Sequence, residues 1–175
     1  MKNNQGLTLI ELIVYIGLTA MILTSVVMIA ANLIKDSVKA DLLSRVTSES
    51  ILIQDKITYY VNRASSFDGS TSYSSPGTIA VVYNGVVVKF DTYLKTITLN
   101  NQSVSIRKLR FQSGSDPAVD LTSDEITVTT FSVADYTNTG VGSIGITLQL
   151  NSVNPENTNL YNNQYVSTFG ATIRK

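Results

Sequence analysis

The sequence predicts an α+β fold, a long N-terminal helix packed on an antiparallel β-sheet, with the first half of the helix membrane-spanning and the second amphipathic. Three observations predict it. Residues 12–34 form an apolar run with no charged side chain. Helical spacing then continues to about residue 62 without a Pro or Gly. From residue 78 the apolar period changes from that of a helix to the alternation of strands.

The apolar run sets the first element. Its 23 residues would rise roughly 34 Å as a helix, enough to cross a hydrocarbon core of about 30 Å. Ahead of it stands a short polar leader, Met1-Lys2-Asn3-Asn4-Gln5-Gly6, and Glu11 interrupts the apolar stretch that begins at Leu7. A removable secretory signal has a shorter apolar core and no carboxylate within it. A plain single-span anchor explains the length but not Glu11, because an ionised group in an apolar segment is costly without a partner.

These residues carry a resemblance. Gly6-Leu7-Thr8-Leu9-Ile10-Glu11-Leu12 resembles the prepilin processing motif of type IV pilins and type II secretion pseudopilins. The resemblance covers residues 1 to about 60. It implies that prepilin peptidase cleaves between Gly6 and Leu7, that Leu7 becomes the N-methylated first residue, and that Glu11 serves filament assembly. Cleavage creates an α-amino group, positive near neutral pH, and a buried carboxylate is tolerated when paired with such a charge. In the resembled family the glutamate of one subunit pairs with the terminal amine of a neighbour. Leu7 stands where the family usually has phenylalanine. Many relatives also carry a proline within this helix, whereas the first proline here is Pro76.

Beyond residue 34 the helix turns amphipathic. Val38, Leu42, Val46, Ile53, Ile57 and Val61 recur at helical spacing, and Leu43, Ile51, Leu52 and Tyr60 are expected to widen the stripe. Turn-forming residues collect at 62–69, where the helix should stop. The domain reading is therefore a leader at 1–6, a membrane or filament-core half at 7–34, an amphipathic half at 35–64, and a β-rich extracytoplasmic domain at 65–175.

Strands are expected at 78–83 and 86–90 around Asn84-Gly85, the strongest short hairpin signal. A second hairpin is expected from 93–99 and 103–111 around Asn100-Asn101-Gln102. Residues 125–133, 143–150 and 165–173 are rich in Thr, Val, Ile and Phe, residues that favour strands.

Composition argues against several chemistries. The chain has no cysteine and no histidine, which removes the thiolate nucleophile, the commonest general base and the softest metal ligands. Charge is balanced at 13 basic and 13 acidic residues, so nucleic acid is not nominated as a partner. The acidic stretch at 116–125 lacks the regular spacing of a calcium loop and reads as a solvated turn. Arg107-Lys108 and Arg110 read as a solvated strand edge. The expectation is a non-enzymatic structural subunit with no cofactor and no metal.

From the resemblance, its partners are prepilin peptidase, other pilin subunits, an inner-membrane assembly platform, and membrane lipid before assembly. The resemblance places the chain in the cytoplasmic membrane as a single pass with its N-terminus inside, and later in a filament. It favours a minor pilin or pseudopilin, because major relatives often close a C-terminal loop with a disulfide that this chain cannot form. A major pilin and a singly anchored surface binding module are the alternatives.

Overall fold

Helix α1 (Leu9–Arg63) is unbroken over 55 residues, as a stretch from residue 35 free of Pro and Gly allows. The computed structural model describes residues 8–99, 101–138, 141–154 and 163–174. The chain divides into two units, Met1–Ala40 and Asp41–Lys175. In the first, every described residue is exposed. The second holds the rest of α1, all the strands, and every buried residue.

The strands, in chain order, are β1 (Ser66–Phe67), β2 (Ile79–Tyr83), β3 (Val86–Leu99), β4 (Gln102–Ser113), β5 (Val119–Asp120), β6 (Ile126–Asp135), β7 (Ser143–Ser152) and β8 (Gln164–Thr172). They form a five-stranded sheet in the order β1-β2-β3-β4-β5 and a three-stranded sheet in the order β6-β7-β8. Every pairing is antiparallel. The fold class is as the sequence predicts, with two sheets in place of one. The sheets meet where the Arg107 N–H of β4 donates to Thr127 Oγ1 of β6 at 3.1 Å.

Turn chemistry sets the first hairpin. Asn84 and Gly85 take φ of 51° and 77°, both in the left-handed region that a two-residue hairpin turn demands. The expected strands at 86–90 and 93–99 are one continuous strand, β3. Asp91 and Thr92 looked like a break between them. Instead Asp91 sits directly across from Arg110, and a charge paired across the ladder need not end a strand.

The core forms where α1 lies on both sheets. Val46, Ser50, Ile53, Ile57 and Val61 are its buried residues, following the i, i+4, i+7 pattern of one helix face. Ser50 fills the gap in the predicted stripe. The expected widening is limited: Leu43, a turn ahead of the buried stretch, and Ile51 and Leu52, on the face turned from the core, remain about half exposed. Phe90 and Leu109 of one sheet join Phe131, Ile146, Leu148 and Leu150 of the other in this cluster. Tyr60 fastens the helix to the first sheet, with its ring centroid 5.3 Å from that of Tyr83 and 5.1 Å from that of Phe111. Tyr59 stays exposed, under the Arg63 guanidinium at 3.9 Å.

Strand β7 alternates without exception between buried and half-buried residues. Ile144, Ile146, Leu148 and Leu150 point inward, each contributing about 1.5–3 kcal/mol by burial. On its other face Gly145 lets the exposed Tyr136 ring lie against the backbone, and a Cβ there would push that ring aside.

Replacing Ile57 with Ala should destabilise the domain by about 2–5 kcal/mol, and Leu148→Ala by a similar amount. Leu43→Ala, on the same helix but outside the core, should cost less than about 1 kcal/mol. Urea unfolding followed by circular dichroism distinguishes these cases.

Candidate functional site

Of the three sequence-predicted site residues, Gly6 and Leu7 lie outside the described residues, and Glu11 lies in the first turn of α1. Thr8 precedes the helix, and its side chain closes the start: the Glu11 N–H donates to Thr8 Oγ1 at 3.4 Å. The Leu12 N–H donates to Thr8 O at 3.1 Å. Thr8 is thus the N-cap and Glu11 the third helical residue, the spacing of a capping box. The signal was present in the sequence as Thr-x-x-Glu ahead of an apolar run, but Thr8 went unremarked. A carboxylate in the first turn also meets the positive end of the helix dipole. The Glu11 side chain is exposed and faces no cation among the described residues.

The segment after Glu11 is long and apolar enough to cross a membrane, and none of its most apolar stretch is buried within the chain. Its Thr and Ser hydroxyls are satisfied internally. Thr19 donates to Tyr15 O at 2.7 Å, Thr24 to Ala20 O at 2.5 Å and Ser25 to Met21 O at 2.9 Å. Such bonds to the preceding turn let polar side chains sit in an apolar setting. A core helix of a soluble domain would bury one face against neighbours. This segment buries none.

The acidic stretch is exposed at 116–120 and 123–125, yet its second half is also fastened to the sheet. Residues 119–120 pair as β5 along the edge of β4, and the Leu121 N–H donates to Leu109 O at 2.8 Å. Tyr93 Oη donates to Asp120 Oδ1 at 2.8 Å. Lys95 Nζ and Lys108 Nζ both reach Asp124 Oδ1 at 2.9 Å. Lys108 is 1 % exposed and also donates to Thr122 O, so the expectation of a solvated strand edge is corrected. Arg107 and Arg110 do lie on opposite faces, and Arg110 holds the Asp91 carboxylate through two bonds, of 2.5 and 3.2 Å. Helix α1 contributes from its own side: Glu49 accepts the Ser123 N–H at 3.1 Å, and Arg45 pairs with Glu125 at 3.1 Å. Among the described residues no three candidate ligands gather as a metal site would need.

Electrostatics follow from these contacts. Lys95 and Lys108 hold the Asp124 carboxyl below its ordinary value. At Asp91 desolvation pushes upward, but hydrogen bonds from Arg110 and Lys89 outweigh it and the net shift is downward. The hydrogen bond to Asp120 raises the Tyr93 phenol, and the bond to Asp124 raises Lys95. These pairings brace residues 119–125 against β3, β4 and α1.

The comparisons bear on the N-terminus. A sequence-family profile described as the prokaryotic N-terminal methylation motif matches residues 1–31. The chain carries the type IV pilin and pseudopilin signature. Neither a curated protein nor a solved structure matches the chain. The signature supports a pilin-like or pseudopilin-like protein, and it implies processing by prepilin peptidase and assembly with other pilins.

A carboxylate depressed by folding contributes stability above its unfolded pKa, and that contribution is lost as pH falls through the folded value. Asp91→Asn should therefore cost about 1–3 kcal/mol at neutral pH. The gap to the parent chain should close below about pH 4, where the parent's own carboxylates become protonated. Urea unfolding across a pH series checks both the cost and its sign.

Proposed function

We propose that this chain is a non-enzymatic structural subunit, a minor pilin or pseudopilin of a type IV pilus or a type II secretion-like filament. Prepilin peptidase would cut after Gly6 and Leu7 would be N-methylated. The chain would wait as a single pass in the cytoplasmic membrane, leader inside and β domain outside. An inner-membrane assembly platform then moves it from lipid into the filament. The observation that carries this reading is the methylation motif running directly into an apolar helix with no buried face of its own. Such a helix needs lipid first and neighbouring subunits afterwards.

Glu11 is the residue on which assembly turns in this reading. Its carboxylate has no cationic partner among the described residues, and an apolar filament core makes a lone charge costly. The Leu7 amine of a neighbouring subunit supplies the opposite charge. The exposed Leu43, Ile51 and Leu52 on the second half of α1 offer further apolar surface to neighbours. Minor is favoured over major because no cysteine is present to close a C-terminal disulfide loop.

A second reading, a singly anchored surface module, draws on a cleft of about 880 Å³ lined by Phe67, Tyr73, Asp135, Thr137, Gly142 and Arg174. It requires a chain that never polymerises.

Glu11→Ala should yield a processed, membrane-inserted protein whose incorporation into filaments falls by roughly 100-fold or more, in line with the ~3–5 kcal/mol cost of an unpaired buried charge. Immunoblotting of sheared filaments against the membrane fraction reads this directly. Incorporation equal to the parent's would remove Glu11 from assembly. High copy number of the parent in sheared filaments would make it a major subunit.

A further inference from the structure

Strand β8 leaves one edge of the three-stranded sheet open. Its pairing with β7 runs without a register shift from Ser143↔Thr172 to Asn151↔Gln164. At its end, the Ile173 N–H donates to Gly142 O, on the β7 side. The Thr172 N–H turns the other way and donates to Asn62 Oδ1 at 3.4 Å. Backbone groups alternate along a strand. Gly170, Thr168, Val166 and Gln164 therefore direct their N–H and C=O groups to the same side as Thr172, away from β7. All four residues are exposed, and among the described residues no strand pairs with them.

The other edges in this molecule are protected. The five-stranded sheet ends in β1 and β5, each of two residues. The β6 side of the second sheet meets β4 through the Arg107–Thr127 bond. Short edge strands, charges, prolines, bulges or a covering element are the usual safeguards against strand addition. Gln164-Tyr165-Val166-Ser167-Thr168-Phe169-Gly170-Ala171-Thr172 has no charge and no proline, and no bulge. Asn62 closes only its Thr172 end.

A row of free backbone donors and acceptors is met by another strand, and this edge complements itself. Antiparallel pairing about a two-fold axis at Thr168 sets Thr168 against its own copy, and Thr–Thr is a favourable cross-strand pair. The same register sets Val166, 51 % exposed, against Gly170 of the second copy. The space where a Gly170 Cβ would stand is open, its nearest neighbour being Ile144 O at 3.7 Å. The β7 residues beside this row, Gly145, Thr147 and Gln149, carry no charge, so nothing repels an identical face. We propose that β8 is a docking edge for the β8 of a second copy of this chain, antiparallel, with Thr168 facing Thr168. A two-fold contact closes on itself and does not propagate. It joins subunits in pairs, through a surface separate from the helix that the filament reading uses.

The full-length chain in detergent micelles serves for the test, with sedimentation analysis as the readout. Thr168→Lys and Thr168→Glu each place like charges opposite one another, and should weaken the dimer by about tenfold or more. An equimolar mixture of the two should restore it. Circular dichroism should show both variants folded, since Thr168 is exposed. The chain has no cysteine, so Thr168→Cys should cross-link between copies on mild oxidation while Ser70→Cys, in an exposed loop, does not. A monomeric parent chain would overturn the proposal. So would a dimer unchanged by Thr168→Lys, which would run through another surface, or a mixture that stays as weak as its components. None of these substitutions touches Gly6, Leu7 or Glu11, so filament incorporation is read independently.

Discussion

The contact on which the domain depends is the seating of one helix face, Val46, Ser50, Ile53, Ile57 and Val61, on two antiparallel sheets. Each sheet turns an apolar face to the core, and an amphipathic helix is what covers both faces at once. The two sheets share few backbone bonds, so the helix face is what gathers Phe90 and Leu109 from one with Phe131 and Leu148 from the other. The β5–β6 connection is drawn in as well, through Glu49 and Arg45. The same stripe ends at Val46. Upstream of it α1 stays apolar through residues 12–34, and its described residues there are all exposed. A helix with a satisfied half and an unsatisfied half is the physical basis for a subunit that must find lipid or neighbours.

Charge is handled differently in the two parts. In the β domain Asp120, Asp124 and Glu125 are matched by Tyr93, Lys95, Lys108 and Arg45, and a buried lysine is tolerated because Thr122 and Asp124 receive it. At the start of α1 Glu11 has the Thr8 cap beside it but no cation among the described residues. A solvated carboxylate needs no partner, but one that adjoins an apolar run does once that run is buried, which fits a partner supplied by another chain.

The features legible in the sequence were local. The leader, Glu11 and the length of the apolar run sit in contiguous residues, and the Asn84-Gly85 turn announces itself because left-handed φ values restrict residue choice. Alternation gave β7 and β8 to within a residue or two. What the sequence did not reveal depended on partners far along the chain. Asp91 resembled a strand end until Arg110 was placed across from it. Leu43, Ile51 and Leu52 were expected to widen the stripe; Ile51 and Leu52 stand too far round the helix to do so, and Leu43 comes a turn before the buried stretch begins. Lys108 read as solvated because Asp124, its partner, lies across a turn that no periodicity predicts. The acid strap could have been anticipated in part, since carboxylates and cations at nearly matching numbers invite pairing, but not its register.

The central claim is that the N-terminus is a processing and assembly device, not a plain anchor. A mass spectrum of the mature chain tests it most directly. The account predicts a polypeptide beginning at Leu7, its amine methylated and residues 1–6 absent. A mature chain still carrying Met1, or one cut after the apolar run near Ala31, would contradict it.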